Sequence, residues 1–257
     1  MRKILPGALA LLLLIACLLP PAARAESVQT FSGYPLYTRD MSIELPDGWY
    51  MNTQNAIDPD FLSVSANSQY KLKKYLTQQH VEYNLVSKDL KTELNVIVLH
   101  NSRTKLIYNY NDADPAKLED QIANLVEAGV TTSKAGETTY SSGRLDMKDS
   151  CLFIVLEGKM EEESASSILV QYSTIVNGFG INISIKSYDE TLADQNAALI
   201  EQVAGSFRVA EVKEGNRTLQ IIVEFLPPIL LVLGFIGFAV YRVVAQVRKN
   251  RMKDKEA

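Results

Sequence analysis

The chain has 257 residues, of which 47% are apolar and 22% charged, with two cysteines and a net charge of −4. This length suits one or two domains, and the composition excludes collagen-like, disulfide-dense and wholly disordered proteins. Residues 26–218 carry 17 basic and 27 acidic side chains, a net charge of −10. Nucleic acid is therefore not expected as a partner, because its binding depends on basic side chains that neutralise phosphates.

The first 25 residues have the pattern of a secretory signal peptide. Two basic residues precede an uninterrupted apolar run over residues 8–19, and Ala23 and Ala25 follow in an A-x-A arrangement. A charged start, a short apolar centre and a small-residue end are typical of such peptides. We therefore predict cleavage after Ala25, so that the mature chain begins at Glu26.

Cys17 offers a second processing site. Residues 14–17 resemble a bacterial lipobox, in which the cysteine is lipidated and becomes the first residue. The mature chain would then carry a lipid anchor as well as the helix predicted below, although the two are alternative ways to hold a domain at a membrane. Cleavage after Ala25 is favoured, and lipidation of Cys17 is the alternative.

The first half of the exported region alternates short strands with helices. The predicted elements are, in order, a lead-in over 26–40, a strand–turn–strand unit over 41–51, a helix over 68–79, strands over 90–99 and 106–108, and a helix over 115–128. Leu72, Tyr75 and Leu76 have the spacing of one helix face. Asp114 is placed to cap the next helix, with Pro115 at its first position and Gly129 after its end.

The second half is predicted to contain strands over 151–156, 167–176 and 179–186, and a final helix capped by Thr191. Asn177 and Gly178 form a two-residue hairpin turn between two of these strands. In the last strand Ile181 alternates with outward polar residues that include Lys186. Strands joined by hairpins, with helices between them, indicate an α+β fold: an antiparallel β-sheet with helices packed on it.

Three segments carry a resemblance to a known family. They are SIELPDGW at 42–49, YSTIVNGFGINISI at 172–185 and SFRV at 206–209. Together they resemble PsbP-like extracytoplasmic domains over residues 37–209. The resemblance implies a central antiparallel sheet with helices on both faces, and a non-catalytic accessory or binding role. No ligand residue of that family is matched in this sequence.

Residues 211–218 are a predicted linker, and residues 219–241 are a predicted transmembrane helix. The uncharged part, residues 225–241, covers about 25 Å of a hydrocarbon core about 30 Å thick at 1.5 Å per residue. The basic side chains that follow and set the topology include Arg242, Arg248, Lys249 and Arg251. Because positive charge stays on the cytoplasmic side, residues 242–257 are predicted to be a short cytoplasmic tail.

These segments predict a single-pass membrane protein whose domain, residues 26–210, lies outside the cell membrane and whose C-terminus is cytoplasmic. After cleavage at Ala25, Cys151 is the one remaining cysteine. An exported domain without an internal disulfide is less typical of the eukaryotic secretory route. The host is therefore predicted to be bacterial.

Candidate chemistry in the sequence is sparse. Cys151 begins an apolar strand and is interpreted as a small buried residue. Glu161, Glu162 and Glu163 are interpreted as a solvated hairpin tip, and Asp112 and Asp114 lack the spacing of a calcium loop. No G-x-S-x-G, H-E-x-x-H, P-loop or G-x-G-x-x-G pattern is present. No catalytic residue, metal site or cofactor is predicted.

Two functions are compatible with this pattern. The favoured one is a membrane-tethered, non-catalytic extracytoplasmic domain that binds a membrane or envelope protein, another envelope component or a small ligand. The alternative is a membrane-anchored extracytoplasmic hydrolase, because paired carboxylates can be brought together by the fold without a local motif.

The processing site is open to a direct test by intact-mass measurement of the mature protein. We expect the mass of a chain that begins at Glu26, because the A-x-A end of the leader is the pattern cleaved during export. A diacylglycerol adduct on Cys17 would overturn cleavage after Ala25 and establish lipidation instead.

Overall fold

The computed structural model describes residues 29–37, 40–65, 68–133, 136–162 and 165–215. The predicted signal peptide, Cys17, the predicted membrane segment 219–241 and the tail 242–257 lie outside these ranges. Within them, no helix is both long and apolar enough to cross a membrane.

The described residues form an α+β fold, as the sequence predicts. The strands are β1 (Phe31–Leu36), β2 (Met41–Pro46), β3 (Tyr50–Asn52), β4 (Val81–Val86), β5 (Thr92–Leu99), β6 (Val130–Ser133), β7 (Gly136–Lys148), β8 (Cys151–Glu161), β9 (Ser166–Val176), β10 (Phe179–Ser187) and β11 (Arg208–Val209). The helices are α1 (Pro59–Val64), α2 (Gln69–Gln78), α3 (Ser102–Ile107), α4 (Pro115–Glu127) and α5 (Ala193–Gly205).

The strands make two antiparallel sheets. The large sheet has eight strands in the order β3-β4-β5-β10-β9-β8-β7-β6, and the small sheet has the order β1-β2-β11. Every strand pair in both sheets runs antiparallel. Short connections join consecutive strands from β6 to β10, whereas the β5–β10 and β2–β11 pairs bring together strands far apart in the chain.

The main core lies between one face of the large sheet and a layer made of helix α5 and the small sheet. Phe153 in β8 is at the centre of this core. Its ring makes edge-to-face contacts with the rings of Tyr172 and Phe207, whose centroids lie 6.0 and 5.9 Å from the centroid of Phe153. Ile200 and Val203 on α5 are fully buried in the same cluster. Burial of these side chains, from β8, β9, α5 and the residues just after α5, stabilises the domain, at about 1.5–3 kcal/mol for each large side chain.

The opposite face of the large sheet is covered by helices at two places. Helices α1 and α2 pack over β3 and β4, where Phe61, Leu76 and Val81 are buried together. Helix α4 packs over β7 and β8, where Ile122 and Ile154 are buried. Helices therefore lie on both faces of the sheet.

Local signals in the sequence account for the turn and the helix that agree with prediction. Asn177 and Gly178 have φ values of 52° and 79°, as a two-residue turn of the primed type requires. The Asp114 side chain accepts the Ala116 amide at 3.1 Å and Pro115 begins helix α4. Gly129 follows that helix at φ 70°, a conformation that ends helices.

One prediction for the N-terminal part is wrong, because the lead-in over 26–40 contains strand β1, which pairs with β2. The strand–turn–strand unit predicted over 41–51 is present as β2, a turn and β3. Its two strands do not pair with each other, because β2 belongs to the small sheet and β3 to the large one. The turn around Gly48 therefore carries the chain from one sheet to the other.

The predicted strand over 106–108 is also wrong, because residues 102–107 form helix α3. Asn101 accepts the amides of Arg103 and Thr104, and the Thr104 hydroxyl accepts the amide of Asn101. This reciprocal capping box stabilises the first helical turn and outweighs the β-propensity of the residues that follow. Strands β4, β6 and β7 were not predicted, although β4 does alternate apolar and polar residues from Val81 to Leu85. The first half of β7 is polar and has no such pattern.

The final helix begins one residue later than predicted. Thr191 lies in a 3₁₀ turn, Glu190–Leu192, where its amide donates to the Asp189 carboxylate at 3.0 Å. Helix α5 starts at Ala193, with Leu192 at its N-cap position and no side-chain cap. Thr191 is therefore not the capping residue of this helix.

Gly158 in β8 is predicted to be intolerant of a side chain. A Cβ atom there would overlap the carbonyl oxygen of Thr139 and lie 2.8 Å from the Cα of Tyr140, beside a bulge in the β7–β8 pairing. Gly158→Ala is expected to lower the free energy of unfolding in urea by about 1–3 kcal/mol through overpacking.

Gly33→Ala is the matched control, because nothing lies within 4 Å of a Cβ at Gly33 in β1. Its effect should stay within about 0.5 kcal/mol, as for surface substitutions in general. Equal losses for the two variants would contradict the close approach of β7 to Gly158.

Candidate functional site

A groove of about 370 Å³ lies between helix α5 and the end of the large sheet that carries the β4–β5 loop. Its lining residues are Gln29, Trp49, Ser87, Asp89, Thr92, Leu192, Gln195, Asn196, Ala198, Leu199 and Gln202. This volume is within the range of small-molecule sites. The groove is the candidate functional site.

Trp49 is brought to the groove by the turn that links the two sheets. Gly48 precedes it at φ 78°, a backbone conformation that glycine adopts without strain. The turn is held by the Ser32 hydroxyl, which donates to Asp47 at 2.6 Å, and by the Gln29 amide, which donates to the Asp47 carbonyl at 2.9 Å. Trp49 is half-buried: it packs against the main core and also lines the groove.

Asn196 fixes helix α5 as the other wall of the groove. Its side chain is buried, and its amide donates to the Thr92 hydroxyl at 3.0 Å and to the Ser187 hydroxyl at 2.7 Å. One residue thus connects the helix to β5 and β10. Gln195 and Gln202 on the same helix are exposed, so their amides are accessible from the groove.

Asp89 is the one ionisable side chain among the described residues that line the groove. The Ser87 hydroxyl donates to its carboxylate at 2.5 Å, and the Lys91 amide donates at 3.1 Å. These hydrogen bonds, chiefly that from Ser87, hold the pKa of Asp89 below its ordinary value. The groove therefore carries a fixed negative charge, which disfavours anionic ligands.

A second polar cluster lies on the opposite face of the large sheet, between the helices packed there. Lys186 in β10 is buried, and its ammonium is 2.5 Å from Glu162 and 3.5 Å from Glu93. Burial alone would lower the pKa of Lys186, but the two carboxylates outweigh it and raise the pKa to about 12. A lysine held protonated in this way cannot act as a base or nucleophile at neutral pH.

Asparagines extend this cluster across the sheet. Asn84 donates to Glu93 at 2.7 Å and to Asn95 at 2.8 Å, and it accepts the side-chain amide of Asn52 at 3.0 Å. Tyr188 donates to the other Glu93 oxygen at 3.0 Å, and burial followed by Glu93 raises the pKa of its hydroxyl. The cluster is internally hydrogen-bonded, and such a network makes this part of the sheet rigid.

Several of the acidic residues singled out from the sequence have structural partners. Glu162 contacts Lys186, which corrects the interpretation of a solvated hairpin tip, and Glu163 lies outside the described residues. Asp112 accepts the Asn109 side chain at 3.1 Å and the Gly215 amide at 3.2 Å. In the part of the chain that the structure describes, no three metal-binding side chains converge.

Cys151 and the histidines do not form a nucleophile–base pair. Cys151 is buried in the main core, and desolvation raises its thiol pKa. His100 follows β5 and stacks on Phe179 at a centroid distance of 4.2 Å. Strands β10 and β9 separate β5 from β8, a spacing of about 14 Å. His80 lies beyond β5 on the other side, next to β4.

Residues Ala23 and Ala25 at the predicted cleavage site lie outside the described residues. So do Arg242, Arg248, Lys249 and Arg251, which set the predicted topology. Sequence reasoning missed the groove and the ion pairs of Lys186, because both depend on register between strands far apart in the chain. The Pro46-Asp47-Gly48 turn just before Trp49 was the available local signal.

Comparison with solved structures agrees with a PsbP-like resemblance and shows that it is weak. A PsbP from the cyanobacterium Synechocystis is similar at a TM-score of 0.44 and 14% identity, covering 72% of this chain and 95% of that one. The Saccharomyces cerevisiae Ran-binding protein Mog1p follows at 0.36 and 10%, covering 71% and 97%. LpqN of Mycobacterium tuberculosis, involved in cell envelope biogenesis, is similar at 0.32 and 11%, covering 73% and 88%. No family model and no curated protein matches this chain.

Lys186→Met is predicted to destabilise the domain by about 3 kcal/mol at neutral pH, because it leaves two carboxylates without their cation in a partly buried site. The folded-state pKa of Lys186, about 12, exceeds the ordinary 10.5. The stabilisation is therefore complete below about pH 10.5 and is lost as the pH rises through 12.

Lys159→Met is the matched control, since Lys159 pairs with Glu190 at 3.4 Å on an exposed surface. That loss should be below about 1 kcal/mol. Urea unfolding curves at pH 7 measure both values. Similar losses for the two variants would show that the buried pairs contribute no more than a surface pair.

Proposed function

We propose that the protein is a membrane-tethered, non-catalytic extracytoplasmic binding domain whose ligand occupies the groove beside Trp49. The tether rests on the signal-peptide and apolar-segment patterns of residues 1–25 and 219–241, which predict a bacterial single-pass protein with its domain outside. The observation that carries the binding function is a groove of ligand-sized volume with a single charged side chain, Asp89.

The lining of the groove favours a neutral, hydroxyl-bearing ligand with an apolar face. Trp49 and Leu199 supply apolar surface on facing elements. Gln195 and Gln202 supply side-chain amides that can both donate and accept hydrogen bonds, as sugar hydroxyl groups also do. Gln29 supplies an acceptor oxygen, because its side-chain nitrogen already donates to the carbonyls of Thr30 and Asp47. The chemistry therefore fits a pyranose ring of an envelope glycan or a free sugar.

A hydrolase is the less well supported function. Acid–base hydrolysis with carboxylates needs two of them on either side of the scissile bond. Asp89 is alone in the groove, and its carboxylate already accepts the hydrogen bonds of Ser87 and Lys91. The groove can thus hold a ligand, but the described residues around it offer no second acid.

Trp49 is the single tryptophan of the chain, so its fluorescence reports directly on the groove. We expect N-acetylglucosamine or a neutral disaccharide to shift the emission of the full-length protein in detergent saturably. Gln195→Ala should weaken that binding about three- to tenfold, since one neutral hydrogen bond contributes about 0.5–1.5 kcal/mol.

Gln78→Ala is the control, because Gln78 is exposed on helix α2 on the other face of the large sheet. It should leave the titration unchanged. A flat fluorescence response to every sugar tested, or equal weakening by Gln78→Ala and Gln195→Ala, would overturn sugar binding in the groove.

A further inference from the structure

The last described residues, 211–215, are held at one end of the domain by hydrogen bonds. Asn177 in the β9–β10 turn donates to the carbonyl of Glu211 and accepts the amide of Lys213, both at 2.8 Å. Asn109 donates to the carbonyl of Lys213 at 2.6 Å, and its oxygen accepts the Asn177 amide at 2.7 Å. These bonds fix where the chain leaves the domain, at the tip of the β9–β10 hairpin.

Three aromatic rings gather at the same tip. Phe179 follows the hairpin turn, His100 stacks on it, and Tyr37 lies 5.6 Å from the Phe179 ring centroid. Tyr37 is 66% exposed and His100 is exposed, whereas Phe179 is partly buried against the main core. We define the aromatic tip as Tyr37, His100 and Phe179. Large exposed aromatic side chains in a cluster are a sign of an interaction surface.

Helix α3 stands beside the aromatic tip and adds positive charge. The amide of Gly178 donates to the carbonyl of Tyr108, just after α3, at 2.8 Å. Arg103 and Lys105 on this helix are exposed, as is the apolar side chain of Leu106. In a domain that is acidic overall, the aromatic tip is therefore bordered by cations and an apolar side chain.

The predicted membrane segment begins close to this surface in the chain. Three residues lie between Gly215, the last described residue, and Leu219. A fully extended chain spans at most about 14 Å over these four Cα–Cα steps. Gly215 is itself held by the Asp112 carboxylate at 3.2 Å. A domain tethered at this point has its exit end within about 14 Å of the bilayer surface.

We propose that the aromatic tip and helix α3 form a lipid-contacting surface that docks the domain on the bilayer in which residues 219–241 are anchored. The inference rests on the proposed membrane tether and adds an orientation to it. Tyrosine rings partition to the headgroup region, and Arg103 and Lys105 would meet the phosphates of anionic lipids. The groove beside Trp49 then faces away from the membrane, because it lies at the opposite end of β5.

The test places a tryptophan at the tip of the full-length protein. In a Trp49→Phe background, Tyr37→Trp and, separately, Leu106→Trp are reconstituted into vesicles of phosphatidylethanolamine and phosphatidylglycerol with brominated acyl chains. We expect emission about twofold lower than in unbrominated vesicles, because a ring at the headgroup level meets the brominated chains. Leu106→Trp keeps the test valid if Tyr37→Trp does not fold.

Leu90→Trp in the same background is the matched control, since Leu90 is exposed in the β4–β5 loop, about 26 Å along β5 from His100. It should show no quenching.

Failure of the chain to stay in the vesicles after carbonate washing would overturn the tether itself. Retention with no quenching at either tip position would overturn the docking alone, as would quenching equal to that of Leu90→Trp. Protection of the tip in native membranes but not in pure lipid would assign the surface to a protein partner and also overturn lipid docking.

Discussion

The buried side chain of Asn196 is the connection on which the arrangement of the domain depends. Its amide joins helix α5 to strands β5 and β10 through the hydroxyls of Thr92 and Ser187. The helix is thereby held at a fixed height over the large sheet, with Phe207 against Phe153 beyond its C-terminal end. Because α5 also forms one wall of the groove, the geometry of the core and that of the candidate site are set by the same contacts.

The two faces of the large sheet differ in the polarity of the side chains that they bury. One face is apolar and is sealed by helix α5 and the small sheet, whereas the other has a polar band of Lys186, Glu93 and asparagines between its two groups of helices. A slip of one residue in β10 would turn Lys186 into the apolar core and Ile185 out of it. The buried ion pairs thus penalise wrong strand registers, whatever their net contribution to stability.

How far the sequence predicts the structure depends on whether the deciding contacts are local. The Asn177-Gly178 turn, the capped start of helix α4 and the α+β class follow from neighbouring residues. Strand β7 does not, because its polar sequence is stabilised by pairing with β8, and the strand predicted over 106–108 is lost to a capping box. The groove and the Lys186 cluster could not be predicted from neighbouring residues, because each joins residues about 100 positions apart in the chain, as Glu93 and Lys186 are.

The hydrogen bonds that hold residues 211 and 213 at Asn177 determine how the domain responds to a mechanical force. Strands β9 and β10 lie in the interior of the large sheet, flanked by β8 and β5. A pull on the chain beyond Gly215 is therefore delivered first to the tip of a central hairpin and not to an edge strand. The hydrogen bonds that the Asn177 and Asn109 side chains make to residues 211 and 213 therefore bear the force before the hydrogen bonds between strands of the large sheet. Residues 211–215 would detach from the domain while the sheet stays intact.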